Sequence, residues 1–171
     1  DILAIVEPQS GLLLDVNARM TELLGFDRAE LLTMKIMDFD TMVTDQGLLD
    51  SFIEELRRKG SMAFESILRR KDGKTFPVEI NARLSVDRQR EFMVVVSRDI
   101  TKRKQAEDEL AASLEFATGL IHSMQDGFSI LDKNGVSSDV NPALCSMTGF
   151  SREELIGIGA IFPYWPPEAY E

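Results

Sequence analysis

The chain has 171 residues, enough for one complete domain with its own core and part of a second. Its hydrophobic content of 44% and charged content of 28% are typical of a globular protein, and no apolar run approaches the roughly 20 residues that a bilayer span needs. A net charge of -10 argues against nucleic acid as a partner, and the single cysteine, Cys145, excludes an internal disulfide.

Residues 2–26 predict a β-hairpin followed by a short helix. Two β-rich apolar runs, at 2–6 and 12–16, are separated by a cluster of turn-forming residues. Asn17 suits a helix N-cap, because its side-chain oxygen can accept a hydrogen bond from a backbone N–H of the first turn. Gly25 suits the end of that helix.

Residues 27–60 predict helical structure of three kinds. Asp27 to Glu30 has the pattern of a capping box, which opens a second short helix. The mixed pattern at 35–44 indicates a short helical or irregular connector. From Gly47 to Lys59, apolar residues fall on one face and charged residues on the opposite face, as in an amphipathic surface helix.

Three strands are predicted between residues 62 and 96. The first, at 62–70, is joined to the second by an Asp-Gly dipeptide, which favours a tight hairpin turn. The second strand alternates between apolar and polar residues from Thr75 to Leu84, so that one face is buried and the other exposed. Residues 92–96 form the third strand.

Residues 100–124 predict a long linker helix with a narrow apolar stripe. The stripe residues are spaced by 4, 3, 4 and 3 positions, which is the pattern of a coiled-coil seam. A helix lying on its own domain is the weaker alternative, because that arrangement favours a wider apolar face. We therefore predict a homodimer whose seam contains Leu110, Leu114, Ala117, Ile121 and Met124.

The chain then repeats its beginning. "DVNARMTELLGF" at 15–26 returns as "DVNPALCSMTGF" at 139–150, and the sequence ends before any counterpart of the last three strands. The repeat predicts a complete first domain at 1–99, a linker helix at 100–124 and the N-terminal part of a second, similar domain at 125–171.

These motifs, taken in order, resemble the PAS domain, a bacterial sensory module. The resemblance rests on "DVN" before a helix, "GF" before a capping box, the hairpin "RRKDGKTFPVEI" and "DIT" before a basic-acidic helix. It implies an α+β fold with a five-stranded antiparallel sheet in the order 2-1-5-4-3 and short helices on one face. A small-molecule pocket often lies between the helices and the sheet of this family.

No residue pattern points to catalysis or to a bound cofactor, so we expect that this segment is not an enzyme. Flavin-binding relatives of the LOV type need a reactive cysteine in a helix that would fall between Lys35 and Gly60 here, and that stretch contains no cysteine. Cys145 lies in a different element. Haem-binding relatives need an axial histidine in the pocket, whereas the one histidine, His122, falls in the linker. The residues after it, "SMQDGF", also differ from those after a phosphorylated kinase histidine. We expect neither haem nor LOV-type flavin, and no metal.

An unidentified small ligand remains open. Without an obvious polar group to hold it, a completely filled core is favoured over a cavity. Arg83 could hold an anion, although the alternation places it on the outer face of the sheet, which is a second candidate dimer surface. The candidate pocket residues are Phe39, Met42, Phe52 and Leu56 from the helices and Phe76, Val78, Ile80, Val94 and Val96 from the sheet.

The residues Asp99, Ile100 and Thr101 are the candidate signal relay, because both polar side chains can cap the first N–H groups of the linker helix. The resemblance implies a cytoplasmic sensory segment that controls a downstream output domain, most often a sensor histidine kinase of a two-component phosphorelay. A diguanylate cyclase or phosphodiesterase, a phosphatase, and a ligand-free dimerisation spacer stay open. Attachment of the parent protein to a membrane stays open too.

Overall fold

The computed structural model describes residues 1–159 and 162–165 of the chain. Its contacts divide the chain into two units, residues 1–106 and residues 107–171. The division falls inside the long helix, so the domain boundaries that the sequence suggests at either end of that helix stay a prediction.

The first unit, all of which the structure describes, contains an antiparallel sheet of five strands in the order β2-β1-β5-β4-β3. This confirms the predicted fold class and strand order. A 3-10 helix at Ile36–Asp38 forms part of the predicted irregular connector. The regular elements in chain order are β1 (Ile2–Val6), β2 (Leu13–Val16), α1 (Ala18–Leu24), α2 (Arg28–Leu31), α3 (Gln46–Lys59), β3 (Ser61–Arg69), β4 (Thr75–Asp87) and β5 (Arg90–Asp99).

Helix boundaries follow the predicted caps. Asn17 accepts a hydrogen bond from the backbone N–H of Met20 at 3.1 Å, and Gly25 ends α1 in the left-handed region with φ 79°. Asp27 and Glu30 form the capping box that opens α2. Each cap satisfies backbone groups that a short helix cannot pair internally.

The inner face of the sheet and the helix α3 form the core. On β4, the alternating residues Phe76, Val78, Ile80 and Ala82 are buried as predicted. The apolar face of α3 lies against the same core through Leu49, Ile53 and Leu56. The inward side chains of β4, which alternate along the strand, and the apolar side chains of α3, which recur at helical spacing, therefore form one apolar layer.

On β5 the predicted phase was wrong by one residue. Val94 and Val96 were expected to face the helices, but they lie on the outer face of the sheet. Met93 and Ser97 are buried on the inner face instead. The cause is the cross-strand register, which pairs Ser97 with Ile80, so that the inward set of β4 fixes the inward set of β5. An unbroken run of valines carries no alternation from which the phase could be read.

Helix α4 (Thr101–Ser123) crosses from the first unit into the second, where a two-stranded antiparallel sheet follows. Asn141 caps α5 with Pro142 at its first position, and Ser151 with Glu154 forms the capping box of α6, as predicted. Among its described residues the second unit has no counterpart of the last three strands of the first. The remaining elements are β6 (Ser129–Leu131), β7 (Ser137–Val140), α5 (Pro142–Thr148) and α6 (Arg152–Leu155).

The repeated Asp-Val-Asn has the same structural role in both units. Asn17 Oδ1 accepts from the backbone N–H of Leu3 as well as that of Met20, and its Nδ2 donates to the carbonyl of Asp1. Asn141 Oδ1 likewise accepts from two backbone N–H groups, and its Nδ2 donates to carbonyl oxygens. One amide side chain thus joins the hairpin to the helix that follows it, which explains why the motif recurs.

The tight approach of Gly11 to α3 yields the first prediction. Gly11 has φ +73°, and a Cβ there would lie 3.0 Å from Leu49 Cδ2, whereas Gly73 has φ +85° with open space around it. Gly73→Ala should cost about 1–2 kcal/mol of unfolding free energy from the left-handed backbone alone. Gly11→Ala should cost more, because Leu49 must also move. Amide hydrogen exchange of β1 and β5 measures both, and equal losses would contradict the contact.

Candidate functional site

A cavity of about 50 Å³ lies between the inner face of the sheet and the elements that cover it. It is far smaller than the roughly 300–1,000 Å³ of a pocket for a drug-sized ligand. Its apolar lining is formed by Ile2, Ala4, Val6, Leu13, Met20, Ile36, Phe39, Val43, Leu49, Phe52, Phe64, Leu68, Ile80, Ala82, Met93 and Val95.

The structure brings three of the nine predicted pocket residues, Phe39, Phe52 and Ile80, to the cavity wall. Leu56, Phe76 and Val78 are buried in the surrounding core without lining the cavity. Met42 is 61% exposed, although Asp40, two residues before it, is buried. Val94, Val96 and the exposed Arg83 border a shallow depression on the outer face of the sheet.

Two polar residues of the cavity wall, Asp40 and Ser97, were missed by the sequence analysis. Both are only 3% exposed. Asp40 sits in the stretch "IMDFDTM", where an acidic residue among apolar ones was the available signal. Ser97 could be found only once the phase of β5 was known. The sequence had favoured a filled core because no polar group that could hold a ligand was evident. The cavity wall contains two such groups.

The described residues contain no group of three or more His, Cys, Asp or Glu side chains placed to hold a metal ion. His122 lies in the last turn of α4 and Cys145 on α5, both outside the cavity wall. That neither haem nor flavin binds stays a prediction, which the small volume of the cavity favours.

The second feature is the junction between β5 and α4, which only Ile100 separates. Asp99 Oδ1 accepts hydrogen bonds from the backbone N–H of Thr101 at 2.9 Å and from Thr101 Oγ1 at 2.5 Å. Ile100 is 4% exposed, and its N–H donates to the carbonyl of Pro77 on β4 at 3.1 Å. The start of the helix is therefore fixed to the sheet by a carboxylate cap, a backbone hydrogen bond and a buried side chain.

Arg70, the residue just after β3, extends this junction to the helical layer. Its Nη2 lies 3.8 Å from Asp99 Oδ2, its Nη1 donates to the carbonyl of Leu23 in α1, and its Cζ lies 3.9 Å from the centroid of the Phe76 ring. Both charged side chains of the ion pair are more than two-thirds buried. Arg70 therefore connects α1, the β3–β4 hairpin and the start of α4, a role that the sequence analysis did not assign to it.

Glu65 on β3 holds the first turn of α4 from a second side. Its Oε1 lies 2.8 Å from Arg103 Nη2 and its Oε2 lies 2.8 Å from Lys104 Nζ. The hydrogen bond from Lys104, together with a further one from Arg103, holds the pKa of Glu65 below its ordinary value. These exposed contacts orient the helix start more than they stabilise the fold.

Farther along α4, four of the five predicted seam residues are exposed in the single chain, and Ile121 is half-buried. Leu110 is 62% exposed and Leu114 is 61% exposed, and Met124 lies just beyond the helix end with 43% exposed. Exposed apolar residues at this spacing are typical of a helix that packs on a partner. Within the described part of the chain, no helix combines the length and low charge required to cross a bilayer.

Comparison with known proteins places this geometry in a family. The model of the PAS domain matches residues 1–102, and the model of the PAS fold matches residues 115–167. The chain therefore belongs to the PAS domain family, whose sensor domains are generally non-catalytic. The crystal structure of a PAS domain of an HTR-like protein from Haloarcula marismortui is 27% identical, with a TM-score of 0.54 over 58% of this chain and 81% of that one.

Two curated relatives are sensor proteins. The C4-dicarboxylate transport sensor protein DctS of Rhodobacter capsulatus is 35% identical over 79 residues, which is 46% of this chain. The methyl sulfide methyltransferase-associated sensor of Methanosarcina acetivorans is 30% identical over 156 residues, which is 91% of this chain. The chain spans only 12% and 14% of the lengths of these two relatives.

The junction yields a prediction about Asp99. Asp99→Ala removes the acceptor of both Thr101 hydrogen bonds, so it should cost about 1–2 kcal/mol of unfolding free energy. It should also speed amide exchange at Thr101. Asp99→Asn keeps an acceptor oxygen and loses only the charge facing Arg70, so its effect should be less than half as large. Urea unfolding with amide exchange measures both, and equal effects of Ala and Asn would contradict the capping geometry.

Proposed function

We propose that the chain is the sensory input segment of a prokaryotic signal-transduction protein, and that a change in the first unit passes through the Asp99–Thr101 junction into α4. The observation that carries this proposal is the short, bonded connection between β5 and α4, in which one carboxylate caps the helix and contacts Arg70. Because no flexible tether separates the two elements, a displacement of β5 must also displace the first turn of α4.

The cavity wall supports a route from a ligand to this junction. β5 contributes Met93, Val95 and Ser97 to the wall and ends two residues later at Asp99. A molecule in the cavity would therefore press on the same strand that carries the cap. Because packed protein interiors deform little, a displacement of the cavity wall should move the whole strand and should not be confined to the residues around the ligand.

The exposed residues of α4 and the names of the curated relatives support two partners, a second copy of the chain and an output domain. We propose a homodimer in which two copies of α4 meet along their exposed apolar residues, and an output domain that this helix controls. Both curated relatives carry the word sensor in their names, which supports a signalling role. For the output we propose a histidine kinase. A cyclic-dinucleotide enzyme or a phosphatase would use the same input. We further propose a cytoplasmic location.

A second candidate function is a dimerisation spacer that binds nothing. The observation in its favour is the cavity volume of about 50 Å³, which leaves the core nearly filled. The spacer and the sensor differ in one measurable respect. In a spacer, a change in the cavity wall has no effect on the helix start.

That difference gives the test. Ala82→Val places a larger side chain in the cavity wall and should change amide exchange at Thr101 and Lys104 by about two- to thirtyfold, the usual range of coupling between linked sites. In the Asp99→Ala background the same substitution should leave these amides unchanged. Ala63→Val, on the exposed face of β3, is the matched control. If Ala82→Val alters exchange in β5 but not in α4, the spacer is correct.

A further inference from the structure

The carboxylate of Asp40 is the chemically distinctive part of the cavity wall. Its Oδ1 accepts three hydrogen bonds, from Ser66 Oγ at 2.7 Å and from the backbone N–H groups of Met42 at 2.8 Å and Val43 at 3.4 Å. Among the described residues, Asp40 Oδ2 has no hydrogen-bond partner, although the residue is 3% exposed. One acceptor oxygen is therefore left for a molecule that enters the cavity.

The remainder of the wall restricts what that molecule can be. Apart from Asp40 and Ser97 the lining is apolar, and no cationic side chain of the described residues contributes to it. A carboxylate ligand would place a second acceptor-only group beside Asp40 in an apolar enclosure with no charge to balance it. A hydroxyl or amino group can instead donate to Oδ2, and the Ser97 hydroxyl offers a second polar contact.

The volume of the cavity limits the size of the ligand. A cavity of about 50 Å³ has room for a molecule of only a few non-hydrogen atoms. Larger metabolites would require the wall to move.

We propose that the cavity selects a short-chain alcohol or amine that donates a hydrogen bond to Asp40, and that it excludes carboxylates. This inference rests on the proposed sensory function and assigns the chemical class of its ligand. A cavity that excludes carboxylates would not bind dicarboxylates, so the ligand of this chain would differ from that of a dicarboxylate sensor.

The test compares ethanol with its isomer dimethyl ether, which has the same atoms but no hydrogen-bond donor, and with acetate. Binding to the 171-residue chain is followed by NMR through the methyl signals of Ala4 and Ala82, which line the cavity. Ethanol should bind with saturation and about ten- to a hundredfold more tightly than dimethyl ether, as expected for one hydrogen bond to a charged group. Acetate should cause no saturable shift.

Asp40→Asn provides the decisive variant, because an asparagine can keep the three bonds to Oδ1 while its Nδ2 replaces the free acceptor with a donor. The preference should then reverse, so that dimethyl ether binds at least as tightly as ethanol. Asp87→Asn, at the exposed end of β4, is the matched control and should leave the wild-type order unchanged. The relative affinities of ethanol, dimethyl ether and acetate are measured on the wild-type chain, so the proposal stays testable if Asp40→Asn does not fold.

Equal binding of ethanol and dimethyl ether, saturable binding of acetate, or no saturable binding of any probe would overturn the proposed ligand class. An unchanged preference in a folded Asp40→Asn variant would overturn it as well. None of these outcomes decides the relay itself. The exchange experiment with Ala82→Val tests the relay without any ligand, so the two proposals can fail separately.

Discussion

The cap that the Asp99 carboxylate forms on α4 holds the linker helix to the sheet. A helix that starts one residue after a strand leaves its first N–H groups without internal partners, and here one carboxylate satisfies the N–H and the hydroxyl of Thr101. The same carboxylate faces Arg70, which donates to the carbonyl of Leu23 in α1. Sheet, helical layer and linker helix thus meet at one side chain, and each constrains the position of the others.

The cavity and the junction are parts of one arrangement. β5 lies at the centre of the sheet between β1 and β4, carries cavity residues on its inner face and ends at the cap. A central strand is held by hydrogen bonds on both sides, so its displacement involves its neighbours as well. In the proposed relay, a molecule in the cavity would act on the strand that the helix continues.

Much of the fold could be predicted because local and global signals agree. The Asn17 cap, the capping box at Asp27 and the alternation along β4 each follow from short-range rules, and the repeat supplied an internal check on the first two. The phase of β5 could not be predicted, since its valines fit either face and only the register with β4 decides between them.

The candidate site was less accessible to sequence reasoning. The junction was recognised from Asp99 and Thr101, but Arg70 joins it only through a contact between residues far apart in the chain. Asp40 was missed for a related reason. Its burial depends on Ser66 of β3, a strand that follows it by a full helix, and no local pattern of charge or hydrophobicity encodes that pairing.

A double-mutant cycle between Arg70→Met and Thr101→Val tests whether the Asp99 carboxylate joins the sheet to α4. These residues are thirty-one positions apart in sequence and each contacts Asp99, so their effects on the unfolding free energy should not be independent. We expect a coupling energy of about 0.5–1 kcal/mol. Effects that add to within about 0.3 kcal/mol would show that the two residues do not act through a shared carboxylate, and would contradict the account.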